Sequence, residues 1–141
     1  MKKIVFLFTL SLMLTACSVE KKNDEMHQFV ASQEHDERLF GWWQLVNQPT
    51  NYLYYDNVTF NVGRASEGED GSITRYDSYW YWYTYDMNIY EIRDATPLTG
   101  LISSHVEYRI SEDGEYLMHR EGDGVFVNAL KRVSYDLPTV N

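Results

Sequence analysis

Short segments that suit β-strands, separated by clusters of turn-forming residues, make up the chain from Leu39 to Val133. No apolar pattern in this region keeps the period of an amphipathic helix over a helical length. Asp113-Gly114 and Asp123-Gly124 each lie between two alternating segments, where Asp-Gly is the strongest short signal for a β-hairpin. The 141 residues leave room for one domain. The sequence therefore predicts an all-β domain, a closed meander or a sandwich, of about seven or eight antiparallel strands.

The turn residues divide this region into predicted strands and one long loop. The predicted strands are residues 40–47, 54–62, 73–85, 89–93, 105–111, 116–121 and 125–133. Residues 63–71 contain three acidic side chains and three glycines, and we expect them to form a flexible acidic loop. This loop lacks the ordered ligand spacing of an EF-hand, so it is expected to be solvated rather than to bind calcium.

The two hairpin turns also predict a register. A two-residue turn at Asp113-Gly114 places Tyr108 opposite His119, and a second one at Asp123-Gly124 places His119 opposite Asn128. Both turns give one shared apolar face, which consists of Val106, Tyr108, Ile110, Leu117, Phe126 and Leu130. This agreement supports both turn assignments, because a slip of one residue would move a whole strand's side chains to the other face.

Aromatic side chains are concentrated in residues 76–85, which read YDSYWYWYTY. Because side chains alternate across a strand, Trp80 and Trp82 share one face. The other face carries Tyr79, Tyr81, Tyr83 and Tyr85. Such rings combine a large rigid contact area with a polar group, which suits a flat apolar ligand or a protein partner. The interpretation without a function is that they fill and cover a small β-domain.

The turn after this strand decides which aromatic face lies inside. A three-residue loop, Asp86-Met87-Asn88, puts Asn88 in the left-handed conformation that Asn tolerates. That loop places Trp82 opposite Ile92 and Thr84 opposite Tyr90, with the tryptophans in the core and the tyrosines outside. A two-residue loop reverses the faces, so both orientations stay open at this point.

The first residues of the chain have the features of a signal peptide. Lys2 and Lys3 precede an apolar run over residues 4–14, which is too short to cross a bilayer comfortably. The run ends in Leu14-Thr15-Ala16-Cys17, which resembles the lipobox of bacterial lipoproteins, and Cys17 is the sole cysteine. The resemblance implies that residues 1–16 are a signal peptide, that the mature protein begins at Cys17, and that its thiol carries a diacylglycerol. Acyl chains such as palmitate would then hold the protein on a membrane.

The residue after the cysteine and the charge of the chain bear on location and partners. Ser18 stands where Asp would favour inner-membrane retention, so we expect an outer-membrane protein facing the periplasm. Inner-membrane and cell-surface locations are the alternatives. The formal net charge of -9 argues against nucleic acid, which requires clustered Lys and Arg. Residues 17–38 are predicted to be a tether, with a short helix in which Met26, Phe29 and Val30 share one face.

A second resemblance concerns the predicted β-domain. Gly41-Trp42-Trp43 is similar to the Gly-x-Trp signature that opens the first strand of lipocalin-like barrels. The resemblance implies a small up-and-down barrel over residues 39–133, followed by a tail over residues 134–141. It also implies that a basic residue of the last strand, here Arg132, packs on Trp43. The chain lacks the later motifs and the disulfides of full lipocalins.

The predicted interior contains the candidate ligand-binding residues, and the predicted exterior contains a candidate partner surface. The ligand-binding candidates are Trp80, Trp82, Tyr90, Tyr108 and His119. The partner-surface candidates are Tyr79, Tyr81, Tyr83 and Tyr85. His105 and His119 lie too far apart in the predicted register to share a metal ion, and a single cysteine excludes a multi-cysteine zinc site. We therefore expect no metal site and no cofactor.

Motifs of catalysis are absent from the sequence. There is no phosphate-binding glycine loop before a helix and no Gly-x-Ser-x-Gly turn, and the one thiol is assigned to lipid. The sequence thus predicts a non-enzymatic envelope lipoprotein whose barrel binds a small apolar or aromatic molecule. The alternative is a protein-interaction module, an envelope inhibitor or assembly accessory, that uses the tyrosine face or the acidic surface.

Overall fold

The computed structural model describes residues 25–96, 100–134, 137 and 139–140. Two helical segments come first: α1 over residues 25–32 and a 3-10 helix at Glu37–Leu39. The strands of the described residues are β1 (Gly41–Leu45), β2 (Asn51–Tyr55), β3 (Asn61–Glu67), β4 (Ile73–Tyr85), β5 (Asn88–Thr96), β6 (Gly100–Ile110), β7 (Tyr116–Arg120), β8 (Val127–Arg132) and β9 (Thr139–Val140).

Strands β1 to β8 form an antiparallel sheet in which each strand pairs with its neighbours in the chain. The sheet closes on itself because β1 also pairs with β8. Strand β9 adds to β4 in parallel, with Ile73 opposite Thr139. This arrangement confirms the predicted small up-and-down β-barrel.

The two ends of the barrel differ. Strands β1, β3, β5 and β7 begin at the end beside the 3-10 helix, which we call the capped end, and they finish at the far end. At the capped end, the His35 ring stacks on the Phe60 ring with 3.7 Å between centroids. The Asp36 N–H donates to Thr84 Oγ1 at 3.1 Å, and Leu39 is fully buried. The segment before β1 therefore covers this end of the barrel.

The barrel core contains the tryptophans Trp43 and Trp82, which are both fully buried. Each indole N–H has a carbonyl acceptor, Leu39 O at 2.8 Å for Trp43 and Asp56 O at 3.1 Å for Trp82. These bonds matter because a buried indole N–H without a partner would be costly. The buried side chains packed together here are Leu39, Trp43, Leu53, Tyr55, Val62, Trp82, Ile89, Tyr108, Leu117 and Leu130.

Trp43 and Arg132 meet where the barrel closes. They are register partners between β1 and β8, and the Arg132 Cζ atom lies 4.2 Å from the Trp43 ring centroid. The predicted packing of Arg132 on Trp43 is confirmed. The predicted inward-facing Leu130 is also confirmed, since it is buried opposite Leu117.

The predicted strand over residues 54–62 is wrong. The chain turns within it, because Asp56 Oδ1 accepts hydrogen bonds from the Val58 and Thr59 N–H groups, each at 2.7 Å. Phe60 then takes a positive φ of 59°, which lies outside the β region for a residue with a side chain. As a result, β3 covers most of the segment predicted to be an acidic loop, and only residues 68–72 connect β3 to β4.

The register of β7 and β8 is confirmed in part. Tyr108 lies opposite His119 as predicted, but His119 faces Val127 rather than Asn128. The difference arises from a bulge in the pairing after Leu117, which inserts one extra residue into β8.

Phe126 consequently leaves the predicted inner face. Its ring lies against the guanidinium carbons of Arg109 and Arg120, at 4.3 and 4.8 Å from the ring centroid. Arg120 also forms an ion pair with Glu107, with Nε to Oε2 at 2.9 Å. These contacts place Phe126 among charged side chains on the outer surface of the barrel.

The predicted three-residue loop between β4 and β5 is wrong. Asp86 and Met87 form a two-residue turn with φ of 48° and 60°, and Trp82 lies opposite Glu91 while Tyr83 lies opposite Tyr90. Trp82 nevertheless points inward. The one-residue shift changes the face of β5 instead, because the side-chain period of a strand is two.

Helix α1 packs on the outer surface of β4. The rings of Phe29 and Tyr83 make an edge contact at 5.6 Å, those of His27 and Tyr81 do so at 5.8 Å, and Val30 is fully buried. The predicted short helix is thereby confirmed for its described residues; the leader with Cys17 lies outside them.

Candidate functional site

The barrel contains a partly open cavity of about 280 Å³. Its lining residues are Leu45, Leu53, Tyr55, Ile89, Glu91, Ser104, His105, Val106, His119, Ala129 and Leu130. Leu45 ends β1 and His119 lies near the end of β7, so the cavity extends toward the far end of the barrel. Most of the lining is aliphatic, with a few polar groups, which is the usual composition of a small-molecule site.

Glu91 is the acidic side chain of the cavity wall. Its register partners are Trp82 on β4 and Ser104 on β6, which places it on the inner face of β5. Burial raises the pKa of the Glu91 carboxyl, and the Arg64 guanidinium, whose Nη2 is 4.0 Å from Glu91 Oε2, lowers it in part. At 4.0 Å the two groups attract each other without a hydrogen bond. The carboxyl is thus only partly compensated by protein charge.

Tyr55 lies beside this carboxyl in the cavity wall and is almost completely buried. Burial raises the pKa of the Tyr55 hydroxyl well above its ordinary value, and the negative charge of Glu91 raises it further. The hydroxyl therefore stays protonated and can donate or accept a hydrogen bond.

His119 lines the cavity on the β7 side. Burial lowers the pKa of its imidazole, with a smaller opposing influence from Glu121, so the neutral form is favoured near pH 7. Within the described residues, His119 Nε2 is buried and has no hydrogen-bond partner. The predicted ligand-site role of His119 is therefore compatible with its position.

The other predicted ligand-binding residues lie elsewhere. Trp82 is in the core and its ring contacts Tyr55 edge-on at 4.9 Å, one layer behind the cavity wall. Trp80 packs partly buried against the same core, with Arg93 Cζ 5.2 Å from its ring centroid. Tyr90 is on the outer face of β5, where its ring stacks on Tyr83 at 4.9 Å. Tyr90 was predicted to face inward because the predicted loop between β4 and β5 is one residue longer than the observed turn.

Tyr108 belongs to the capped end. Its hydroxyl donates to Asp36 Oδ2 at 2.7 Å, and burial together with this carboxylate raises the pKa of Tyr108. The pKa of Asp36 is held below its ordinary value, chiefly by hydrogen bonds from Arg38. This network ties β6 to the segment before β1, so Tyr108 has a structural role in the cap.

The predicted tyrosine surface is partly covered by the chain itself. Tyr81 and Tyr83 are half-buried beneath α1, whereas Tyr85 is 64% exposed. The side chain of Tyr79 lies outside the described residues. Tyr85 and its surroundings are what the structure leaves open to a partner on this strand.

Sequence reasoning missed Glu91, Tyr55 and Arg64. The alternation in β5 contained the signal for Glu91, because a two-residue turn at Asp86-Met87 moves it to the inner face. Tyr55 and Arg64 were hidden by the misplaced second strand, which obscured the alternation of β2 and β3.

Comparisons of the chain with protein-family models, with curated proteins and with solved structures found no match. Within the described residues, no three His, Cys, Asp or Glu side chains are grouped so that they could hold a metal ion. Neither described helical segment is long and apolar enough to span a membrane.

Proposed function

We propose that this barrel binds a small apolar or aromatic molecule inside the cavity at its far end. The observation that carries the proposal is the cavity of about 280 Å³, walled mainly by aliphatic side chains such as Leu45, Ile89, Val106 and Leu130. This volume is near the lower limit of about 300 Å³ for ligand pockets, so it suits a compact molecule of one or two rings. The polar groups on one part of the wall would orient such a molecule.

We further propose that the protein does this as an envelope lipoprotein anchored through Cys17, on the periplasmic side of the outer membrane. Support for the anchor comes from the lipobox-like sequence and the position of the sole cysteine. In the structure, the described part of α1, residues 25–32, packs on the barrel through Val30. A lipid at Cys17 would therefore be joined to the barrel through a short segment, with no catalytic role proposed for either part.

Native mass spectrometry of the protein extracted from its own envelope tests the binding proposal. The wild-type protein should carry an additional small-molecule mass that is released on unfolding. Ala129→Phe, which places a ring in the cavity, should lose that mass. The control is Val58→Phe at an exposed turn of the capped end, and it should retain the mass. A wild-type protein that never carries a ligand would count against the proposal.

The second candidate function is a protein-interaction module. A depression of about 640 Å³ at the capped end contains the acidic side chains of Glu34, Glu37 and Asp86 and borders the exposed Tyr85 and Met87. Acidic groups beside exposed apolar ones suit a basic protein partner. Replacing Tyr85 and Met87 with Ser should abolish such binding without changing the unfolding free energy, and unchanged binding would eliminate this candidate surface.

A further inference from the structure

The charge in the cavity wall is negative. Among the described lining residues there is one carboxyl group, that of Glu91, and there is no lysine or arginine. The Glu91 side chain is 21% exposed, so it is open to the cavity rather than sealed behind other side chains. A ligand in the cavity would therefore meet the Glu91 carboxyl group, whose oxygens can accept a hydrogen bond and carry negative charge.

The nearby cation does not neutralise this acceptor fully. Arg64 approaches Glu91 from β3, yet its Nη2 remains 4.0 Å from the carboxylate and is not part of the cavity lining. A desolvated carboxylate without hydrogen-bonded compensation is costly, and a positive group placed against it recovers part of that cost. His119 and Tyr55 add polar groups to the same wall.

We propose that the cavity selects a ligand with a protonated amine on a compact apolar or aromatic body, with Glu91 accepting the ammonium hydrogen bond. This inference rests on the proposed ligand-binding function and names the ligand class. A carboxylate ligand is disfavoured because its charge would lie beside Glu91 in a partly desolvated wall. A neutral ligand would leave Glu91 uncompensated, while the net charge of -9 attracts cations to the protein.

Isothermal titration calorimetry with three probes of matched shape tests the proposal: 1-naphthylmethylamine, 1-naphthalenemethanol and 1-naphthoate. The wild-type protein should bind the amine at least about tenfold more tightly than the alcohol, and the carboxylate most weakly. Glu91→Gln should reduce the amine affinity to about that of the alcohol while leaving the alcohol affinity unchanged. Glu107→Gln, a carboxyl on the outer surface paired with Arg120, is the matched control and should keep the amine preference.

The other possible binding results would each contradict the inference, and each for a different reason. Equal binding of amine and alcohol by the wild-type protein, or an amine preference that survives Glu91→Gln, would refute the role of Glu91 while leaving the binding function intact. Tightest binding of the carboxylate would assign recognition to Arg64 instead. Binding of none of the three probes would count against both this inference and the proposed function. Thermal melting of each variant verifies that the barrel is folded.

Discussion

The Arg132 guanidinium lies over the Trp43 ring, with its Cζ atom 4.2 Å from the ring centroid, at the pairing of β1 with β8. The same guanidinium donates hydrogen bonds to the carbonyl oxygens of Arg38 and Gly114. One side chain thus joins the closure of the barrel, the end of the 3-10 helix and the turn between β6 and β7. We therefore expect the stability of the whole barrel to depend on this contact.

Trp43→Ala should lower the free energy of unfolding by about 3–5 kcal/mol, because it removes a fully buried aromatic ring and leaves the Arg132 guanidinium without its apolar support. Urea denaturation monitored by circular dichroism measures this loss. Lys131→Ala, a change at the exposed neighbour in β8, is the control and should alter stability by less than about 0.5 kcal/mol. A loss below about 1 kcal/mol for Trp43→Ala would contradict the role of this contact.

Acid should weaken the cap through His35. Burial lowers the pKa of His35 below its ordinary value of 6.5, and its Nε2–H donates to Trp82 O at 3.0 Å. The unfolded state therefore binds protons more readily, so this contribution to stability is present above pH 6.5 and is lost as pH falls below it. His35→Gln should flatten the fall in melting temperature between about pH 7 and pH 5. The exposed His27→Gln serves as the control, and equal slopes for the two variants would refute this assignment.

Glu91 should contribute to the pH dependence with the opposite sign. Because burial raises its pKa above 4.5, the folded state holds this proton more tightly, and the contribution is lost as pH rises through the folded-state pKa. Relative to wild type, Glu91→Gln should therefore gain stability as pH increases from about 4 to about 7. Denaturant titrations at several pH values measure the gain, and Glu107→Gln should show none. A Glu91→Gln protein that loses relative stability over this range would show that the carboxyl is compensated in the folded state.

The proposed lipid anchor at Cys17 predicts that certain substitutions change where the protein is found in the cell envelope. Cys17→Ser should leave the protein without lipid and release it from membranes, whereas Ser18→Ala should remain bound. Ser18→Asp should shift the protein to the inner membrane if the sorting rule of lipoproteins applies. Fractionation in high salt followed by immunoblotting measures these outcomes. Tight membrane binding of Cys17→Ser would contradict the anchor.

Patterns that depend on local alternation were readable from the sequence. The bounds of β4 at Ile73–Tyr85 agree with the prediction, because a long aromatic segment between two turns leaves little freedom. The Trp43–Arg132 contact was also predicted, from resemblance to a known motif. The turn at Asp86-Met87 was not, since two residues other than Gly with positive φ give no clear sequence signal.

That single turn also explains why the candidate site was misjudged. A register difference of one residue moves Tyr90 outward and Glu91 inward, and the charge of the cavity wall depends on it. The bulge after Leu117 has a similar effect on the residues opposite His119. The cavity itself could not be predicted, because its volume depends on how side chains from six different strands pack around it.

The proposed function requires that a small molecule binds inside the barrel. The most direct test is an NMR titration of the Cys17→Ser protein, produced without residues 1–16, with 1-naphthalenemethanol. We expect intermolecular nuclear Overhauser effects from the naphthyl protons to the methyl groups of Leu45, Ile89 and Val106, and their loss in Ala129→Phe. Contacts confined to Tyr85 and Met87 on the outer surface, or no binding at millimolar ligand, would contradict the proposed function.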